Sequence, residues 1–195
     1  LFTIKFFIMK KLFFILVSFF LIQITFSQST INPDSVCLNS NAESYWFTPN
    51  IGSSYFWTVD PAIGVLGTVF DPVTNTLVID WTGVITGYYS DAIIVVETDA
   101  NGCDGEVRLD VVVLDLPSAP NASDVVVCEN NSIPDLTALG SGNLTWYDSN
   151  NILVWTGSSF PTGHTSPGVY MYSVTDEVNG CEGSYTNVIL TINDV

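Results

Sequence analysis

From residue 28 onward, apolar residues come in short runs rich in Val, Ile, Tyr, Phe and Trp, and Gly, Pro, Asn and Asp interrupt them at close spacing. The runs fall at residues 45–47, 55–59, 77–81, 93–98 and 107–114, and then at 125–127, 144–147, 152–155, 169–175 and 188–192. None carries a sustained 3.6-residue period, so the pattern predicts strands and no long helix. Many short strands with regular turn signals predict antiparallel sheets packed face to face.

The strands group into two units. Val96-Glu97-Thr98-Asp99-Ala100-Asn101-Gly102-Cys103-Asp104-Gly105 recurs as Val174-Thr175-Asp176-Glu177-Val178-Asn179-Gly180-Cys181-Glu182-Gly183, with a shared core of Asn-Gly-Cys-acid-Gly. Each copy lies between two strand-like runs, and Asn-Gly supplies the positive backbone angles of a tight turn, so both copies are predicted hairpins. Each is preceded by an early cysteine and a strand tryptophan, Cys37 with Trp57 and Cys128 with Trp146. Pro117 and Pro120 punctuate the segment between them. The predicted organisation is an N-terminal segment at 1–28, a module at 29–116, a linker at 117–121 and a module at 122–195.

The N-terminal segment reads as a cleaved signal peptide. Met9-Lys10-Lys11 forms a basic start, an apolar run extends from Leu12 to Phe26, and Thr25 and Ser27 place cleavage after Ser27. The apolar core, about 15 residues, is shorter than the roughly 20 that span a bilayer. Residues 1–8 read as an upstream extension, and the sequence as the N-terminal fragment of a larger protein.

Removing this segment changes the electrostatics. It holds three of the four basic residues and none of the twenty acids, so the remaining chain has Arg108 as its only Lys or Arg and a formal charge of −19. Phosphate backbones are bound by Lys and Arg, so nucleic acid and anionic membrane are excluded as partners. Aromatic residues make up 13% of the chain, which separates it from charged disordered sequences. In an exported chain the four cysteines read as a disulfide framework, and no C-x-x-C pair or Cys/His cluster suggests zinc. The repeat selects Cys37–Cys103 and Cys128–Cys181, one bridge per module. Loops of this size would contribute roughly 3–5 kcal/mol each.

Several motifs carry a resemblance. Tyr55-Phe56-Trp57-Thr58-Val59, Leu77-Val78-Ile79-Asp80-Trp81 and the first Asn-Gly-Cys hairpin resemble the PKD-like domains of Bacteroidetes surface proteins. Val127-Cys128-Glu129, Leu144-Thr145-Trp146-Tyr147-Asp148, Pro167-Gly168-Val169-Tyr170-Met171-Tyr172 and Asn179-Gly180-Cys181 resemble the immunoglobulin-like repeats of the same proteins. The resemblance implies two tandem immunoglobulin-like (PKD-like) antiparallel β-sandwiches. It also implies export by the type IX system and outer-membrane anchoring through regions beyond this sequence. Asp34-Ser35-Val36 resembles the O-glycosylation acceptor of that phylum. The match to antibody domains is looser, because Cys103 and Cys181 sit beside a hairpin turn.

Catalytic chemistry finds little support in the sequence. His164 is the only histidine and lies in a turn-rich loop without a neighbouring nucleophile. No cofactor is expected, calcium being the one candidate weighed: Asp99, Asn101 and Asp104 place three oxygen side chains in one turn, and Asp176, Glu177, Asn179 and Glu182 mimic it in the second unit, although an Asn-Gly hairpin with solvated acids accounts for the same residues. Aromatic residues could instead stack on a sugar. Trp46, Trp81, Trp155, Tyr88 and Tyr89 are candidates, with Trp155 and Tyr147 the first residues to test, while Trp57 and Trp146 are expected in the cores against their disulfides. The expected role is non-enzymatic, as secreted or cell-surface adhesin or stalk modules whose partner is a surface glycan or protein. The alternative is accessory or carbohydrate-binding modules of a secreted hydrolase.

Overall fold

A computed structural model describes residues 28–29, 33–72 and 75–195. The expected signal peptide, its cleavage site and residues 1–8 lie outside these residues. The chain divides after Leu114 into two compact units.

Strands of the first unit are β1 (Gln28–Ser29), β2 (Asp34–Cys37), β3 (Glu43–Trp46), β4 (Ser54–Val59), β5 (Gly67–Asp71), β6 (Thr76–Asp80), β7 (Gly87–Thr98) and β8 (Asp104–Leu114). Antiparallel β4, β7 and β8 form one sheet, with β1 and β2 both added parallel to β8; the second sheet runs β3–β6–β5. A single turn of 3-10 helix at Pro61–Ile63 is capped by the Asp60 carboxylate, which accepts from the Ala62 N–H. Alternation along β6 turns Leu77 and Ile79 inward, and β8 contributes Leu109, Val111 and Val113 to the same core.

Strands of the second unit are β9 (Asn121–Ala122), β10 (Val125–Cys128), β11 (Leu136–Leu139), β12 (Asn143–Asp148), β13 (Leu153–Thr156), β14 (Ser159–Phe160), β15 (Gly168–Val178), β16 (Cys181–Glu182) and β17 (Thr186–Asn193). One sheet runs β10–β17–β15–β12–β13, and the other β14–β11–β9. Leu136, Trp146, Val174, Val188 and Leu190 are fully buried between them.

Both units have the strand order of an immunoglobulin-like sandwich. In the usual lettering the first is A′GFC facing BED, and the second A′GFCC′ facing ABE, with the parallel A′–G pairing supplied by β2–β8 and β10–β17. Each predicted run overlaps a strand. The elements the sequence pattern passed over are short or edge strands, including β2, β5, β9, β11 and β14, where few residues face a core and alternation has little to act on.

The tryptophans divide unexpectedly. Trp146 on β12 is fully buried, and its indole N–H donates to the Gly157 carbonyl at 2.9 Å. Trp57 on β4 is only half-buried, and its N–H donates to Asn75 Oδ1 at 3.1 Å. Trp81, a candidate sugar platform by sequence, is instead fully buried in the first core, at 0% exposure. A ring without solvent access cannot stack on a ligand.

Trp146→Ala should therefore lower the unfolding free energy of the second unit by about 3–5 kcal/mol. Trp46→Ala, on an exposed ring, should stay within about 0.5 kcal/mol of the parent. Urea unfolding followed by circular dichroism compares the two.

Candidate functional site

The Asn-Gly-Cys hairpins were the strongest local signal, and they form two different turns. In the first, Thr98 pairs with Asp104, leaving Asp99 to Cys103 as the loop. The Asp99 N–H donates to the Cys103 carbonyl and the Gly102 N–H to the Asp99 carbonyl, each at 2.9 Å. Asp99 Oδ1 also accepts from the N–H groups of Asn101 and Cys103, each at 2.8 Å. Only Gly102 of the Asn-Gly pair takes a positive φ there, at 82°. In the second hairpin Val178 pairs with Cys181, and Asn179 and Gly180 form a two-residue turn with φ of 53° and 83°.

Two of the three proposed calcium ligands, Asp99 and Asp104, are thereby engaged as hydrogen-bond acceptors. The Cys103 N–H, with Asn101 and Gly102, holds the Asp99 carboxyl below the usual carboxylate range. Asp104 accepts from the Thr98 hydroxyl at 2.7 Å. In the second hairpin the acids part company. Asp176 is buried and accepts from Ser141 N–H (2.6 Å), Ser141 hydroxyl (3.0 Å) and Gly142 N–H (2.8 Å). Glu182 accepts instead from the Thr175 and Tyr147 hydroxyls. The described residues contain no group of three or more His, Cys, Asp or Glu placed to hold a metal.

The other buried acids are held in the same way. Glu97 accepts from Tyr55 hydroxyl at 2.9 Å and Asn50 Nδ2 at 3.1 Å. Asp110 accepts from the Asp91 N–H at 2.8 Å and the Tyr88 hydroxyl at 2.5 Å, bracing the register shift in β7 between Tyr89 and Ile93. Arg108, the only Lys or Arg among the described residues, is ion-paired to Asp91 and Glu106.

The aromatic candidates do not converge. Trp155 pairs with Trp146 across β12–β13 and stacks on Phe160, with ring centroids 6.1 Å apart and planes 21° apart. Its ring is thus directed toward the core side of the sheet. Tyr147 follows the inward Trp146 and therefore faces the other side, where its hydroxyl donates to Glu182 at 3.1 Å. Two rings on opposite faces cannot form one platform. Tyr88 is exposed but engaged with Asp110, and the Tyr89 hydroxyl donates to the Ile85 carbonyl. Trp46 is exposed on β3.

His164 is half-buried and stacked on Tyr170, with centroids 3.6 Å apart, and its Nε2 lies 2.6 Å from the Tyr172 hydroxyl. With Glu129, Asp135, Pro134 and Pro161 it lines a shallow hollow of the second unit. The ring is braced by two tyrosines, with no Ser or Cys nucleophile against it among its hydrogen-bond and ring partners.

The cysteines require a correction. Cys37 and Cys181 are disulfide-bonded, whereas Cys103 and Cys128 are exposed free thiols, so neither Cys37–Cys103 nor Cys128–Cys181 forms. The strand register explains this. Cys37 pairs beside Leu114 at the end of β8, while Cys103 precedes Asp104 at its start. Eleven residues of extended strand separate these ends, a span of roughly 33 Å where a disulfide requires Cα atoms within about 7 Å. In the second unit Cys128 pairs with Asn193 near the Gly168 end of β15, and Cys181 pairs with Val178 at its other end. The repeat located these cysteines correctly in sequence but said nothing of which end of the sandwich each occupies.

No family model matches the chain, and neither does any curated protein. Solved structures do. Murine CEACAM1b is 14% identical with a TM-score of 0.34, covering 87% of this chain and 99% of that one. The Sidekick-1 immunoglobulin domains 1–4 are 14% identical with a TM-score of 0.32, and the chain, 87% covered, spans 51% of that structure's length. Drosophila N-cadherin EC1-3 is 13% identical with a TM-score of 0.28, covering 86% of this chain and 67% of that one. Likenesses this distant add nothing to the strand order, which by itself defines the fold.

The carboxylates give opposite pH effects. Asp99 has a depressed pKa, so its contribution to stability is present above the unfolded carboxylate value of about 3.9 and is lost as pH falls through its folded value. Asp34 is raised by burial, so the cost of ionising it is felt above its folded value and relieved as pH falls through it. Carboxyl-detected NMR titration should place Asp99 below and Asp34 above the reference, and calcium should leave the amide resonances of residues 99–104 unmoved.

Proposed function

We infer that the two units are non-enzymatic extracellular modules that serve as adhesion or spacer elements of a surface protein. One observation carries this reading: the buried acids Glu97, Asp110 and Asp176 each accept hydrogen bonds from turn or strand groups that they hold in place. A general acid or base must be free to exchange a proton with a substrate. Asp110 and Asp176 instead fix backbone N–H groups, and Glu97 fixes the Tyr55 and Asn50 side chains.

The exposed surface supports contact with other macromolecules. All five residues of β5 and all four of β13 are exposed, and among the described residues both strands pair on one side only. They present Val69 and Phe70 in the first unit, and Leu153, Val154 and Trp155 in the second. An apolar, unpaired strand edge is a surface on which other chains pair. The many acids elsewhere keep such a protein soluble and turn it away from phosphate-rich partners. By its resemblance the chain belongs at the surface of a bacterium of the Bacteroidetes, delivered there by type IX secretion with a cleaved signal peptide.

Residues 28–195, purified and immobilised on beads, should adhere to surfaces coated with extracellular glycoprotein while leaving glycoside, ester and peptide substrates intact. Val69→Lys with Val154→Lys should weaken adhesion without lowering the melting temperature. Turnover of any of those substrates by the purified chain would overturn the reading.

A further inference from the structure

The four cysteines are of two kinds, distinguished by which end of a sandwich they occupy. Cys103 and Cys181 sit at the hairpin, and Cys37 and Cys128 at the end of the strand that pairs parallel with the module's last strand. In the first unit β1 pairs with Val107 and Arg108 near the hairpin, and the chain leaves β8 at Leu114 beside Cys37. In the second unit Pro117 lies against Gly183, two residues past the hairpin cysteine, and the chain leaves β17 at Asn193 beside Cys128. The hairpin cysteine therefore marks the entry end of each module and the strand-end cysteine its exit end.

The oxidised cysteines, Cys37 and Cys181, are one of each kind. So are the two thiols, Cys128 and Cys103, and both are exposed. The span of roughly 33 Å between the two ends prevents either thiol from pairing with the other cysteine of its own module. We propose that Cys128 and Cys103 are complementary halves of a head-to-tail bridge, in which the exit cysteine of one copy joins the entry cysteine of a second copy. The contact is heterologous, so repetition builds an open chain of copies.

The chemistry is thiol–disulfide exchange with a small disulfide oxidant such as glutathione disulfide. The Cys128 thiolate attacks one oxidant sulfur and expels a glutathione thiolate, giving a mixed disulfide. Cys103 of the second copy, deprotonated, then attacks the Cys128 sulfur and expels the second glutathione thiolate. Two protein thiols become one disulfide, and the two electrons and two protons end on two glutathione molecules. Glu129 flanks Cys128, and Asp99 and Asp104 flank Cys103, so like charges oppose the encounter and added salt should speed it.

The test uses the chain of residues 28–195 in a glutathione redox buffer, read on non-reducing gels and by mass spectrometry of cross-linked peptides. A ladder of covalent oligomers carrying a Cys103–Cys128 peptide is expected. Cys103→Ser and Cys128→Ser should each abolish the ladder and leave monomer. Mixing the two variants should restore a covalent dimer, because one retains Cys128 and the other Cys103. Unchanged circular dichroism confirms that both variants fold. Cys103–Cys103 or Cys128–Cys128 dimers in the single variants, or no cross-link in the parent chain, would overturn the proposal.

Discussion

Each sandwich depends on the antiparallel ladder between its two longest strands. In the first unit β7 and β8 pair from Thr98–Asp104 to Gly87–Val113, and in the second β15 and β17 pair from Val174–Thr186 to Gly168–Ile192. Register fixes faces, because a slip of one residue would turn Leu109, Val111 and Val113, or Val188, Leu190 and Ile192, from the core to solvent. The neighbouring strands of the same sheet are placed relative to these pairs. The parallel β2 and β10 are added to the outer side of the final strand, and β4 and β12 to the outer side of its partner.

Buried carboxylates hold the connections that this ladder leaves open. Asp176 on β15 collects two backbone N–H groups and a hydroxyl from the Ser141-Gly142 turn. That turn is tightly seated, since a Cβ built on Gly142 would lie 2.1 Å from the Glu177 carbonyl oxygen. Burying an ionised carboxylate without donors would be costly, so the acid and the turn require each other. Glu97 and Asp110 do comparable work in the first unit. Part of the chain's acidity is therefore internal, and its internal members are structural.

Much of the fold was legible in the sequence. Long strands with one buried face carry clear alternation, and the repeated hairpin set the two-module organisation. What escaped was decided by positions distant in sequence. Trp81 lies one residue beyond β6 and reads as an exposed aromatic, yet it belongs to the first core. Tyr147 and Trp155 share a pair of neighbouring strands, yet the pleat sends them to opposite faces. The cysteine pairing failed for the same reason, because sequence order gives no measure of the length of strand between two residues.

The two hairpins show how fine the local determinant is. Asp99 and Glu177 occupy the same position in the repeat and differ by one methylene. The shorter carboxylate reaches the N–H groups of Asn101 and Cys103 and stabilises a loop running from Asp99 to Cys103. At Glu177 no such bonds form, strand pairing continues through Val178 and Cys181, and Asn179-Gly180 closes the tightest turn available. Pairing draws Cys181 into a strand at 1% exposure, while the five-residue loop leaves Cys103 exposed. A shared Asn-Gly-Cys sequence thus produces one sheltered and one accessible cysteine, and the residue two places before the Asn determines which.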